Sequence, residues 1–181
     1  MAQSKILLDT NSYLRLAQSK HPLLGQPFGK NNLTLYIHKE IEIELKRSGR
    51  LQSKFSWIEQ DEYLQNRKKR LKISKVESEE IEKNFDFIWG YQKESGLKLS
   101  REDIYCIATA LELKIPLVTD DQNMILTCKE FEVKVMNTLE LMKMMSVNNF
   151  IDNTMIQQIV DYWKYENDLP ANFDNDFKKL F

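Results

Sequence analysis

Ser100–Asp121, SREDIYCIATALELKIPLVTDD, runs through a helix, a strand and a pair of acids in immediate succession. Ser100 with Asp103 three residues on is a near variant of a capping box. Ile104, Ile107, Ala108 and Leu111 then recur at helical spacing, which predicts a helix over 101–113 with one apolar face. IPLVT, Ile115–Thr119, is apolar and β-branched; it is entered through Pro116 and closed by Asp120 and Asp121, as a short buried strand would be.

An apolar strand ended by an acid also stands at the start of the chain. In KILLDTNSYLRLA, Lys5–Ala17, a short apolar strand over 5–8 meets Asp9 and then a helix. LTLYI, 33–37, reads as a strand, and HKEIEIELKRSGR turns helical with Glu40 and Glu44 one turn apart on one face. A helix over 123–130, a strand over 132–135 and a helix over 138–145 continue the order. Strands alternating with helices predict an α/β fold with a central, mainly parallel sheet flanked by helices. Extra helices fill the middle: two or three are expected between residues 51 and 91, with Phe55, Ile58, Tyr63, Ile81, Phe85, Ile88 and Trp89 spaced as core faces. Pro22, Gly25, Pro27 and Gly29 mark a surface loop.

The 181 residues suit one domain with a small appendage. We place the main domain at 1–146 and a C-terminal helical extension at 147–181, where NNFIDN reads as a linker and an amphipathic helix with an aromatic-rich tail follows. Hydrophobic residues at 42% and charged residues at 29% exclude a disordered chain. Two cysteines, Cys106 and Cys128, lie in no metal-binding spacing and are too few for a disulfide framework. No apolar run is long enough for a membrane span and no signal-peptide pattern opens the chain, so a cytoplasmic protein with no membrane partner is expected.

Acids stand at the ends of strands or on the inner faces of helices: Asp9, Glu44 (with Glu40 as fallback), Asp103, and Asp120 with Asp121. Each has a plain structural use as a helix cap, a first-turn acid or a surface ion-pair partner. Taken together they suggest a pocket at the carboxyl ends of parallel strands, where ligands gather. Carboxylates that share a pocket repel one another unless a cation offsets the charge. Oxygen ligands suit Mg²⁺ or Mn²⁺, and the chemistry suggested is metal-assisted attack of water on a phosphodiester.

Three pieces, LLDTNSYLRL, IEIELKR and SREDIYCIATALELKIPLVTDD, together resemble the PIN-domain nuclease family, which includes the VapC-type toxin ribonucleases; the resemblance spans about Lys5–Met145. It implies a metal-dependent endoribonuclease that hydrolyses RNA with Mg²⁺ or Mn²⁺, the toxin of a toxin–antitoxin or defence pair, with an antitoxin or other protein partner and a homodimer among the expectations. It assigns catalysis to Asp9, Glu44, Asp103 and Asp121. Of these, Asp9, Asp103 and Asp121 would hold the metal, with Asn11, Thr119, Asp120 and Glu40 in support. The middle segment is longer than in compact toxins of this family, and the tail has no counterpart.

Arg50, Lys54, Arg67, Lys68, Lys69 and Arg70 could form the positive rim that a polyanion needs. Two other readings compete. A catalytically inactive PIN-like binding or scaffold module would have its acids too far apart to share a cation. A phosphoryl-transfer enzyme with Asp9 as nucleophile would usually carry a second Asp two residues on, where this chain has Asn11.

Overall fold

The computed structural model describes residues 4–181, so the first three positions of the expected 1–146 domain lie outside it. Within the described residues, four strands form one sheet in the order β2-β1-β3-β4: β1 Ser4–Leu8, β2 Leu33–Ile37, β3 Leu117–Val118 and β4 Val135–Met136. Every pairing is parallel. Leu7 and Leu8 of β1 pair with Tyr36 and Ile37 on one side and with Leu117 and Val118 on the other. Strands buried on both faces have no need of alternation, which is why KILL, LTLYI and PLV read as apolar runs.

Among the described residues ten α-helices flank and extend this sheet. Early in the chain, α1 (Thr10–Ala17) follows β1 and α2 (Lys39–Arg47) follows β2. The middle segment is α3 (Gly49–Lys54), a 3₁₀ turn (Ser56–Glu59), α4 (Asp61–Arg67) and the long α5 (Lys75–Ser95). The crossover from β2 to β3 ends in α6 (Arg101–Leu113), and α7 (Gln122–Glu130) and α8 (Thr138–Val147) complete the alternation; α9 (Asn153–Tyr165) and α10 (Phe173–Leu180) follow. The expected α/β architecture is the one observed. Ser74 with Glu77 and Ser100 with Asp103 form full capping boxes that start α5 and α6.

Two strands differ from expectation for a local reason. Predicted over 115–119, β3 begins at Leu117: Lys114 turns left-handed at the end of α6, the Ile115 N–H closes that turn on Ala110, and Pro116 has no N–H to give. Predicted over 132–135, β4 covers Val135–Met136, because Glu132 turns left-handed and Val133 donates to the Cys128 carbonyl at the exit of α7.

The last helices share the core of the rest of the chain. Ile156, Ile159 and Trp163 join the main core, and the Trp163 indole N–H donates to the Arg15 carbonyl at 2.7 Å. No helix among the described residues is long and apolar enough to cross a membrane.

Candidate active site

In the strand order 2-1-3-4 the chain leaves β1 toward one edge of the sheet and later returns beside β1 to build the other. The reversal lies between β1 and β3, whose carboxyl ends form the crevice where doubly wound sheets bind ligands. Leu8 pairs with Val118, so Asp9 and Thr119 leave the sheet side by side, and the Asp9 N–H bonds the Val118 carbonyl at 3.0 Å.

Three helices that begin at this edge carry a carboxylate bonded to a backbone N–H at the helix start: Asp9 and Asp121 as the caps of α1 and α7, and Asp103 as the third-position acid of the capping box of α6. Asp9 Oδ1 accepts from the Ser12 N–H at 2.7 Å, Asp103 Oδ2 from the Ser100 N–H at 2.8 Å, and Asp121 Oδ1 from the Met124 N–H at 2.8 Å. Glu44, on α2, accepts through Oε2 from the Thr10 hydroxyl at 2.5 Å. The remaining oxygens of Asp103, Asp121 and Glu44 have no hydrogen-bond partner among the described residues. Capping and ligand binding are therefore compatible: one oxygen serves the fold and the other is left for a ligand.

Cys106, one turn after Asp103 on α6, shows how these acids converge. Burial pushes its thiol well up, and the charges of Asp9, Asp103 and Glu44 push it further. The carboxyls also perturb one another. Burial raises Asp103, with repulsion from Asp121 and Glu102 adding to it. Burial raises Glu44, with Glu102 and Asp103 adding. Asp9, 3% exposed, is pushed up to about 6, chiefly by burial; hydrogen bonds from Thr119 and Ser12 hold it back and Asp120 adds repulsion. The Thr119 hydroxyl also lies 3.3 Å from the Met124 sulfur, but a carboxylate is the stronger acceptor; its oxygen receives the Asp121 N–H at 3.1 Å.

Ion pairing separates these four acids from their neighbours. Asp120 is paired with Arg15 at 2.5 Å, Glu102 with Arg47 at 3.0 Å, Glu42 with Arg67 at 2.7 Å and Glu40 with Arg101 at 3.8 Å. Asp9, Glu44, Asp103 and Asp121 form no ion pair among the described residues. Clustered carboxylates without a protein cation are the donor set that a hard divalent ion fits. No three acidic, His or Cys side chains among the described residues already form a metal cage. The fit is thus to an ion held directly by one or two carboxylates and through water by the rest, as Mg²⁺ commonly is.

Several supporting residues take other places than expected. Asn11 is exposed and makes no side-chain hydrogen bond among the described residues; Asp9 is steadied by Ser12, whose N–H points back at the cap, and by Thr119. Asp120 belongs to a structural network in which Arg15 and Thr138 hold it while Arg15 also grips Asp168. Glu40 is occupied by Arg101, which leaves Glu44 as the helical acid. Arg67 cannot serve a surface rim: its side chain is 1% exposed and its guanidinium faces Glu42 and the Tyr13 hydroxyl. Arg50, Lys54, Lys68, Lys69 and Arg70 are exposed. Sequence reading missed Thr10, Ser12 and Arg15. The first two sit inside the motif around Asp9, whereas the partners of Arg15 lie more than 100 residues away and leave no local signal.

The Asp9 shift has a measurable sign. Its carboxyl has the ordinary value of 3.8 when unfolded and about 6 when folded, so the folded state holds the proton longer. Its effect on stability is nil below the unfolded value, becomes unfavourable as pH rises from about 4 to 6, and reaches about 3 kcal/mol above that. Asp9→Asn keeps a capping side chain and cannot ionise. In EDTA at pH 8 this variant is expected to melt above the wild type, with the gap closing toward pH 4; a lower melting point at pH 8 would contradict the burial argument.

No protein-family model matches the chain, and no curated protein matches it. Among solved structures, FitAcB from Neisseria gonorrhoeae is similar with a TM-score of 0.47 at 19% identity, over 74% of this chain and 97% of that one. VapBC-5 from Mycobacterium tuberculosis, of the VapBC family of toxin–antitoxin systems, follows at 0.45 and 14%, over 74% and 98%. VapBC-1 from nontypeable Haemophilus influenzae gives 0.45 and 17%, over 74% and 98%. At these values the chemistry of the site rests on this chain's own residues.

Proposed function

We propose that the chain is a metal-dependent endoribonuclease whose centre is Asp9, Glu44, Asp103 and Asp121. The observation that carries this reading is the selective lack of ion pairing: the neighbouring Asp120, Glu102, Glu42 and Glu40 each pair with an arginine, and Asp9, Glu44, Asp103 and Asp121 form no ion pair among the described residues. Asp9, Asp103 and Asp121 would hold Mg²⁺ or Mn²⁺, which supplies a water of lowered pKa and offsets charge on the phosphate.

The protein's own groups would do the rest. Asp9 is fixed at the sheet edge by Ser12 and Thr119, so it cannot swing away from its neighbours. Glu44, tethered by Thr10 and raised in pKa, is suited to take the proton from the attacking water as its oxygen bonds phosphorus. The P–O bond to the leaving sugar oxygen then breaks, and that oxygen takes a proton from solvent. A protein partner that restrains the enzyme, as an antitoxin does, belongs to this proposal through the sequence resemblance.

A catalytically inactive binding module of the same fold would equally lack a three-carboxylate cage, so that observation gives the alternative its weight. The two part on activity. With labelled single-stranded RNA and DNA as substrates, cleavage is expected with Mg²⁺ or Mn²⁺, should vanish in EDTA and return on adding Mn²⁺. Cleavage indifferent to EDTA overturns the metal reading, and no cleavage of either strand favours the binding module.

A further inference from the structure

A cavity of about 240 Å³, lined by none of the four acids themselves, opens at the carboxyl end of β2, the strand next to the one that ends in Asp9. Leu8 pairs with Ile37, so Asp9 and His38 leave the sheet on neighbouring strands, which lie about 4.8 Å apart. His38 and Lys39 form one wall of the cavity; the segment before α5, the first turns of α5 and Tyr105 of α6 form the others. Arg101 braces the α6 wall of the cavity, bonding the Tyr105 hydroxyl at 3.0 Å and pairing with Glu40.

The polar groups of this cavity are underused. Among the described residues, Lys39 and Arg70 form no ion pair, and the Ser78 hydroxyl makes no hydrogen bond. Glu82 accepts the Tyr105 hydroxyl on Oε2 at 2.8 Å, which leaves Oε1 and a second lone pair on Oε2 to accept from a ligand. They surround an aliphatic floor that includes Ile73 and Ile81. An apolar floor with a few convergent polar groups is the usual make-up of a ligand pocket, and this one falls below the roughly 300 Å³ at which pockets for drug-sized ligands begin. One flat ring system fits; a peptide side of any length does not.

Glu82 is an acceptor, so the ligand edge must donate. Guanine alone among the RNA bases presents two adjacent N–H donors on its Watson–Crick edge. Adenine and cytosine set an amino group beside an acceptor, and uracil flanks one N–H with two carbonyls. Lys39 and Arg70 supply positive charge for the flanking phosphates, and bases of single-stranded RNA are commonly read on this edge once unstacked. We propose that the cavity reads a guanine next to the scissile bond of single-stranded RNA. This rests on the nuclease reading of the acids.

The test combines cleavage with metal-free binding. Two oligoribonucleotides differing only by guanine or adenine at one position are cut with Mn²⁺ by the wild type, Glu82→Gln and Ser78→Phe, and 5′-GMP and 5′-AMP are titrated into each protein in EDTA. Both substitutions lie on the outer part of α5, and a thermal melt confirms folding. The wild type is expected to favour the guanine substrate at least tenfold and GMP over AMP. Glu82→Gln, which replaces an acceptor by an amide, and Ser78→Phe, which fills the cavity, should each reduce both ratios toward one. Cleavage whose base choice is untouched by either variant overturns the cavity proposal alone. GMP binding without any RNA cleavage overturns strand reading in favour of a free-nucleotide site, and removes the nuclease reading with it.

Discussion

Asp9→Asn is expected to lower metal-dependent RNA cleavage by at least about a thousandfold, or about 4 kcal/mol of barrier. The change removes one charge with almost no change of shape, at a buried position where the Ser12 N–H can still bond the side-chain oxygen. Loss of cleavage would therefore report the charge and not the fold, provided the variant melts no lower than the wild type in EDTA. The opposite movement of the two readouts is informative. A carboxylate kept buried at a stability cost, and needed for activity, is what a ligand site requires and what a mere helix cap does not. Cleavage by Asp9→Asn within a fewfold of the wild type would remove Asp9 from the centre.

The second large effect concerns the extension. Trp163 is fully buried, contacts Phe173 edge-on and donates its indole N–H to the Arg15 carbonyl. Trp163→Ala should cost about 3–5 kcal/mol by loss of burial and creation of a cavity. For a chain of this size that lowers the melting temperature by roughly 10 °C. We propose that 1–146 and 147–181 unfold in a single transition, because Trp163 touches the same Arg15 that holds Asp120 and Asp168. A thermal or urea melt decides it. A loss below about 1 kcal/mol, or a separate early transition, would show that the extension is an independent arm.

What could be read from the sequence follows from what is local. β1 and β2 were legible because a parallel strand buried on both faces is an uninterrupted apolar run, and Asp9 marks where it stops. The starts of β3 and β4 were not, because the preceding helices end in left-handed turns at Lys114 and Glu132, where no glycine signals them. Ser100 and Asp103 announce α6 within four residues. Arg67 misled for the converse reason: in a run of basic residues it looks like surface, yet its partners Glu42 and Tyr13 lie 25 and 54 positions away. Asp120 and Asp121 are adjacent and chemically identical, and only the fold shows that Arg15 holds the first and leaves the second. The acids were thus legible as a set, and their division into paired and unpaired was not.

That division leads to the most direct test. Mn²⁺ titrated into the metal-free protein at pH 8 and followed by the electron paramagnetic resonance of free Mn²⁺ needs no knowledge of the RNA substrate. The unpaired carboxylates predict saturable binding of Mn²⁺ by the wild type, lost in Asp9→Asn and kept in Glu40→Gln, whose carboxylate is already engaged by Arg101. Equal binding by all three proteins, or none by the wild type, would contradict a metal centre at Asp9.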